Sequence, residues 1–158
     1  MSTTIHQRIS IHAPAATVYA AIATASGIGT WWGAQTPVHT DRGLVLEHHP
    51  GPEHGVVRLR VVELVPNRRV EWECISAHPP SSPASAWTGT HFIFEIEAGD
   101  ETGAPSGATR QSVATTVDFR QTGYDEGSRF FQSNSAAWEQ VLDNLKRVVE
   151  SGSGGSDR

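Results

Sequence analysis

The sequence predicts an α+β fold in which a curled, six-stranded antiparallel sheet lies against one long C-terminal helix. Three observations carry this reading. From Asp125 to Glu150 the apolar residues Phe131, Ala137, Trp138, Val141, Leu142, Leu145, Val148 and Val149 recur at steps of three, four and seven. That is the period of a helix with one buried stripe. Upstream, most apolar residues alternate with polar ones, the period of two of a half-buried strand. The strands are joined by turns rather than by helices, which implies antiparallel neighbours.

In chain order, Thr4–His12 places Ile5, Gln7, Ile9 and Ile11 on one face and His6, Arg8, Ser10 and His12 on the other. Ala13-Pro14 ends this strand, and Pro14 suits the first turn of the next element because its missing N–H has no helical partner there. The helix Ala15–Thr24 shows Val18, Tyr19 and Ile22 on one side. Ser26-Gly27 breaks it, and a short second segment leads to Trp31-Trp32. Two adjacent tryptophans cannot share one helical face, so one is expected inside and the other near an opening. Thr36–Arg42 reads as a loop. Strands are expected at Gly43–His49, Val56–Val65, Arg69–Ile75, Trp87–Glu97 and Gln111–Gln121, with Pro66-Asn67-Arg68 as a tight turn. The Pro-, Ser- and Gly-rich stretches His78–Ser85 and Ala98–Ala108 read as exposed, mobile loops. The element order is β-α-α-β-β-β-β-β-α. Residues 1–150 form a single domain, and Ser151–Arg158 (SGSGGSDR) is expected to be a disordered tail.

Composition narrows the function. The chain has 158 residues and a formal net charge of −5, and its longest basic run is Arg68-Arg69, which disfavours a phosphate-backbone partner such as nucleic acid. No apolar stretch approaches the roughly 20 residues of a membrane span, so no membrane insertion is expected. A single cysteine, Cys74, rules out an internal disulfide and fits a reducing compartment. The N-terminus MSTTIHQR lacks a basic start and an apolar run, so a cytoplasmic protein is the expectation.

The stretch Ala13–Gly33 (APAATVYAAIATASGIGTWWG) resembles the opening of the START-like (SRPBCC) superfamily: a strand ending in Ala-Pro, a helix with a Val-aromatic pair, and a Trp-Trp pair. Arg120–Glu150 is similar to the branch named for the activator of the heat-shock-protein-90 ATPase. The shared features there are Gly123-Tyr124, Trp138, and the Leu142, Leu145, Lys146 pattern. The resemblance spans residues 3 to 150 and implies a helix-grip fold. It also implies a function among ligand carriers, cyclases, hydroxylase subunits or co-chaperone domains.

Strand parity and the helical stripe nominate residues facing a space between sheet and helix: Trp32, Trp72, Thr90, Phe92, Phe94, Thr115, Val117, Phe119, Phe131, Asn134 and Trp138. Val57, Leu59, Val70, Thr88, Val113 and Val141 share that orientation. Aromatics with a few hydroxyls and one amide suit a site for an apolar or aromatic small molecule, provided they enclose a cavity rather than fill the core. Cyclase or dehydratase chemistry would be an extension of such binding, and no residue is assigned a catalytic role. The alternative is a protein-interaction module of the co-chaperone type. A homodimer could form through Trp31-Trp32 and Trp87.

Other clusters read as structural. His48-His49-Pro50-Gly51-Pro52-Glu53-His54 concentrates imidazoles, but its prolines make a turn and no zinc-site spacing is present, so neither a metal nor a cofactor is assigned. Glu71, Glu73, His91, Glu95 and Asp118 fall on the outward face by parity, as on any solvated sheet. Cys74 has inward parity among apolar neighbours, which raises a thiol pKa.

Overall fold

The computed structural model describes residues 2–49, 55–98, 114–125 and 127–155. The elements are β1 (Ser2–Ile11), α1 (Ala15–Ala23), α2 (Ala25–Ile28), β2 (Gln35–Thr40), β3 (Gly43–His48), β4 (Val57–Val65), β5 (Arg69–Cys74), a 3₁₀ turn (Pro83–Ala86), β6 (His91–Ala98), β7 (Thr115–Asp125) and α3 (Phe131–Gly155). All strands lie in one sheet ordered β1-β7-β6-β5-β4-β3-β2, with every described pairing antiparallel. This is the helix-grip arrangement, a meander closed by return of the last strand to the first.

The sheet has seven strands rather than six. The additional one, β2, covers the segment expected to be a loop. Within it Pro37 cannot donate to a ladder. β2 is an edge strand, the one setting in which a sheet tolerates proline.

Two more boundaries move. β6 begins at His91, not Trp87, because Ser82 caps the Ala84 amide at 3.1 Å and folds Pro83–Ala86 into a 3₁₀ turn. Ser82 and Ala84 are buried, so the stretch expected to be an exposed loop packs inward at this point. α3 starts at Phe131 and continues to Gly155, past the expected end at Glu150. The loop expected at Ala98–Ala108 lies almost wholly outside the described residues, as does Val113.

Parity holds for the inward residues of β4–β7 up to Phe119, whereas the outward-parity Asp118 is also buried, at 8% exposed. Leu59, Val70, Trp72, Phe92, Phe94, Val117 and Phe119 are all buried, and α3 lays Trp138, Leu142, Leu145 and Val149 onto them. The outward set pairs with itself: Arg69 reaches Glu63, Glu71 and Glu95 at 2.7–2.9 Å, Arg60 reaches Glu73 at 2.8 Å, and Asp118 accepts from His6 at 2.9 Å. Burial pushes the Glu71 carboxyl up, but hydrogen bonds from Arg69 and His91 outweigh it and hold the pKa below the usual range.

Backbone closeness fixes the front of the domain. Thr24 caps α2 by accepting from the Gly27 amide at 2.9 Å. A Cβ on Gly27 would sit 2.3 Å from the Ala20 carbonyl oxygen, so only glycine lets α1 and α2 meet this closely. Gly27→Ala is expected to cost about 1–3 kcal/mol through overpacking against backbone. Urea unfolding checks this, and an unchanged midpoint would contradict it.

Candidate functional site

α2 ends in the turn that delivers the tryptophan pair. Trp31 turns inward, 5% exposed, and its indole N–H donates to the Ala21 carbonyl at 2.7 Å. Trp32 is half-buried and lies over the mouth of the sheet's hollow. Its ring centroid is 6.0 Å from Trp72, 5.4 Å from Trp138 and 6.0 Å from Trp87. The His48 imidazole stacks on it at 4.9 Å. Burial is the main influence lowering the His48 pKa, opposed by its hydrogen bond to Ala34 and assisted by His49, so the stacked ring is neutral at pH 7. Gly33 makes room for this stack, since a Cβ there would meet His48 Cε1 at 2.6 Å.

Beneath Trp32 the interior is packed rather than hollow. Phe119 lies 4.3 Å from Trp138, Phe92 is 5.7 Å from Trp138, and Phe94 is 5.0 Å from both Phe119 and Trp72. These separations are ordinary contact distances for aromatic pairs. Trp72, Thr90, Phe92, Phe94, Thr115, Val117 and Phe119 are thus core residues, each no more than 1% exposed.

An opening remains at one end of the helix–sheet seam. It has a volume of about 130 Å³ and is lined by Trp32, Trp87, Asn134, Ala137, Trp138 and Val141. Of the residues nominated from sequence, Trp32, Asn134, Trp138 and Val141 meet there. Phe131 instead stands edge-on to Tyr124 at 5.5 Å, and Thr88 is exposed. Pockets for drug-sized ligands run to roughly 300–1,000 Å³, whereas an engineered apolar cavity of about 150 Å³ accepts benzene. The opening therefore has room for one ring and not for a polycyclic molecule.

A buried polar chain lies directly behind it. Asn134 Nδ2 donates to the Tyr124 hydroxyl at 2.8 Å, and that hydroxyl donates to Gln121 Oε1 at 3.3 Å. Gln121 Oε1 also accepts from Trp138 Nε1 at 3.1 Å, while Gln121 Nε2 donates to Thr90 Oγ1 at 2.9 Å. Thr90 Oγ1 in turn donates to the Trp87 carbonyl at 2.6 Å. Two walls of the opening, Trp87 and Trp138, are thereby tied to the sheet through one glutamine.

Gln121 and Tyr124 were not nominated from sequence. Gln121 shares the inward parity of Val117 and Phe119, and a glutamine on that side was the available signal. Tyr124 has outward parity, and a bulge brings it in. Two residues lie between Gln121 and Tyr124 where only one lies between their partners Ile5 and Thr3, and Gly123 adopts a φ of +94°. No periodicity rule anticipates that.

Elsewhere, larger grooves are polar. One of about 460 Å³ crosses the outer face among the ion-paired Arg8, Arg69, Glu95, Asp118 and Arg120. Cys74 is buried, and desolvation raises its pKa despite hydrogen bonds to Ser76, which suppresses reactivity. Among the described residues, no group of His, Cys, Asp and Glu could hold a metal ion, and no helix is long and apolar enough to cross a membrane. Pro50–His54 of the histidine-rich turn lie outside the described residues.

Comparison with known proteins adds three findings. The family model for "Activator of Hsp90 ATPase homolog 1-like protein" matches residues 12–150. No curated protein matches the chain. Among solved structures, the Aha1 dimer of Colwellia psychrerythraea superposes with a TM-score of 0.71 at 23% identity, covering 94% of this chain and 96% of that one. The protein MLL2253 of Mesorhizobium loti gives 0.69 at 16% identity, covering 94% and 98%. DynU16, a protein in the dynemicin biosynthetic locus, gives 0.68 at 16% identity, covering 95% of this chain and 48% of that one. At these identities the likeness is one of fold.

Burial raises the Tyr124 pKa well above the ordinary value of about 10, against the opposing hydrogen bond from Asn134. The phenol thus resists ionisation in the folded state more than in the unfolded one. The sign follows: folding stability is intact below pH ~10 and falls as pH rises beyond it. Tyr124→Phe should flatten that alkaline decline and, at pH 7, cost about 1–3 kcal/mol by stripping Asn134 and Gln121 of a partner. Unfolding curves between pH 7 and 12 test both, and an alkaline slope unchanged by the substitution would contradict the assignment.

Proposed function

Since the chain belongs to the family of Activator of Hsp90 ATPase homolog 1-like proteins, whose model matches residues 12–150, we propose that it binds an apolar or aromatic small molecule between α3 and the Trp32–Trp87 wall. One observation carries the reading. The indoles of Trp32, Trp87 and Trp138 converge on an apolar opening along the helix–sheet seam, with Asn134 as the polar side chain in its wall. Tryptophan faces hold flat, weakly polar groups at low entropic cost, and one amide suffices to orient them. The likeness to DynU16, from a biosynthetic locus, is in keeping with a small organic ligand. An opening of this volume accepts a single ring, so a larger ligand would leave most of itself outside or require Trp32 to move. Cyclase or dehydratase chemistry would need an acid or base beside the ligand, and the amide of Asn134 is neither. The proposal therefore stops at binding. The buried free thiol of Cys74 fits a reducing cytoplasm as the setting.

A second reading is a partner-protein module of the heat-shock ATPase activator type, or a homodimer like the Colwellia protein. Val62 and Leu64 on β4, 38% and 41% exposed, are apolar side chains that such a partner could cover. Stimulation of a purified chaperone ATPase would support that reading, and a monomeric, inert protein would remove it.

For the ligand reading, single-ring nitroaromatics should quench tryptophan emission saturably. Ala137→Phe, placed on an exposed helical position in the pocket wall, should abolish saturation while leaving the melting curve in place. Identical quenching in wild type and variant would overturn it.

A further inference from the structure

The tryptophan-lined opening has a polar neighbour. A groove of about 370 Å³ lies between the segment 85–88 and the chain entering α3, with Ser85, Thr88, Ser128 and Arg129 in its wall. Both spaces share the same two borders. On one side, Ala86 and Thr88 line the groove while Trp87 lines the opening. On the other, Phe130 lines the groove, and its carbonyl accepts from the amide of Asn134, which lines the opening one helical turn further on. The two spaces, one apolar and one polar, therefore border the same two segments, with Phe130 and Asn134 four residues or roughly 6 Å of helix rise apart.

Arg129 decides the sign of charge that the polar groove favours. Its guanidinium stacks over the Phe130 ring at 4.7 Å and spends one N–H on the Pro80 carbonyl at 3.2 Å. It makes no ion pair with any described acid, in contrast to Arg69, which has three carboxylates around it. A guanidinium has five N–H donors in a planar fork matched to carboxylate geometry, and the stacking already orders this one. The Ser85 hydroxyl stands in the same wall, whereas that of Thr88 already donates to the Ser76 carbonyl at 2.7 Å. A cationic ligand would meet repulsion here, and a neutral one would leave the fork unused.

We propose that the ligand class is an amphipathic carboxylic acid, with its ring seated against Trp32, Trp87 and Trp138 and its carboxylate received by Arg129. This rests on the ligand-binding reading and extends it from "apolar molecule" to "aryl-alkyl acid". It gives the polar groove the role of a specificity element.

The experiment uses 4-phenylbutyrate and its uncharged amide, 4-phenylbutyramide, titrated calorimetrically into the wild-type protein and Arg129→Gln. In wild type the acid should bind about tenfold more tightly than the amide, the scale of one charge-assisted hydrogen-bonded contact at a partly solvated site. In Arg129→Gln the two should bind alike, at the amide's wild-type affinity, and raising salt should erode the wild-type preference. Equal affinity of acid and amide for the wild type, or a preference that survives Arg129→Gln, would overturn this inference while leaving the pocket reading standing. Binding of neither compound to the wild type would take down both.

Discussion

Trp32 is held by aromatic rings from several elements and leaves one side to the opening. His48 stacks on the indole, Trp72 lies nearly parallel to it at 4°, and Trp138 of α3 closes against it at 5.4 Å. Each contribution comes from a different element: the turn after α2, β3, β5 and α3. Aromatic pairs of this kind contribute about 0.5–1.5 kcal/mol each beyond their buried area, so the cluster couples four parts of the chain at once. The glycine next in sequence is part of the same constraint, because a side chain on Gly33 would displace His48. Once Trp32 is in place, the hollow of the curled sheet is shut, and what stays open is the short seam beside Trp87.

That arrangement separates two things that a helix-grip fold can do with its aromatic side chains. The same rings can line a void or fill it. Here Phe92, Phe94, Phe119 and Trp138 touch one another, so they support the fold and only present its rim. The buried chain from Asn134 through Tyr124 and Gln121 to Thr90 then fixes the rim's geometry. Every link has a defined donor and acceptor, which makes the arrangement directional and costly to rearrange. A ligand arriving at the seam meets a Trp138 indole already oriented by that chain and a Trp87 backbone anchored to it, so less ordering cost remains to be met on binding.

Most of the fold was legible in the sequence because its largest signals are periodic. The stripe from Phe131 to Val149 sets α3, and alternation along Arg69–Cys74 and His91–Ala98 places Trp72, Phe92 and Phe94 inside without ambiguity. The failures share one physical origin, local chemistry that overrides period. Pro37 sits in an edge strand, where its missing donor costs little. The Ser82 cap turns a Pro-rich stretch into buried structure. The bulge at Gly123 swings Tyr124 from the outer face to the core. For the site, parity correctly sent the aromatics inward, yet parity says nothing about whether inward-facing rings touch. Volume is a property of the assembled whole, and the contrast between a filled core and a walled cavity emerges only from distances such as the 4.3 Å between Phe119 and Trp138.

The central claim is that a ligand is received at the rim, against Trp32, Trp87 and Trp138, over a core that stays packed. The five tryptophan indole N–H resonances in a proton–nitrogen correlation spectrum report on this directly, one probe per ring. On titration with a single-ring aromatic ligand, shifts are expected at Trp32, Trp87 and Trp138, with Trp31 and Trp72 essentially unmoved. Dominant shifts at Trp72 would place the ligand in the interior and contradict it.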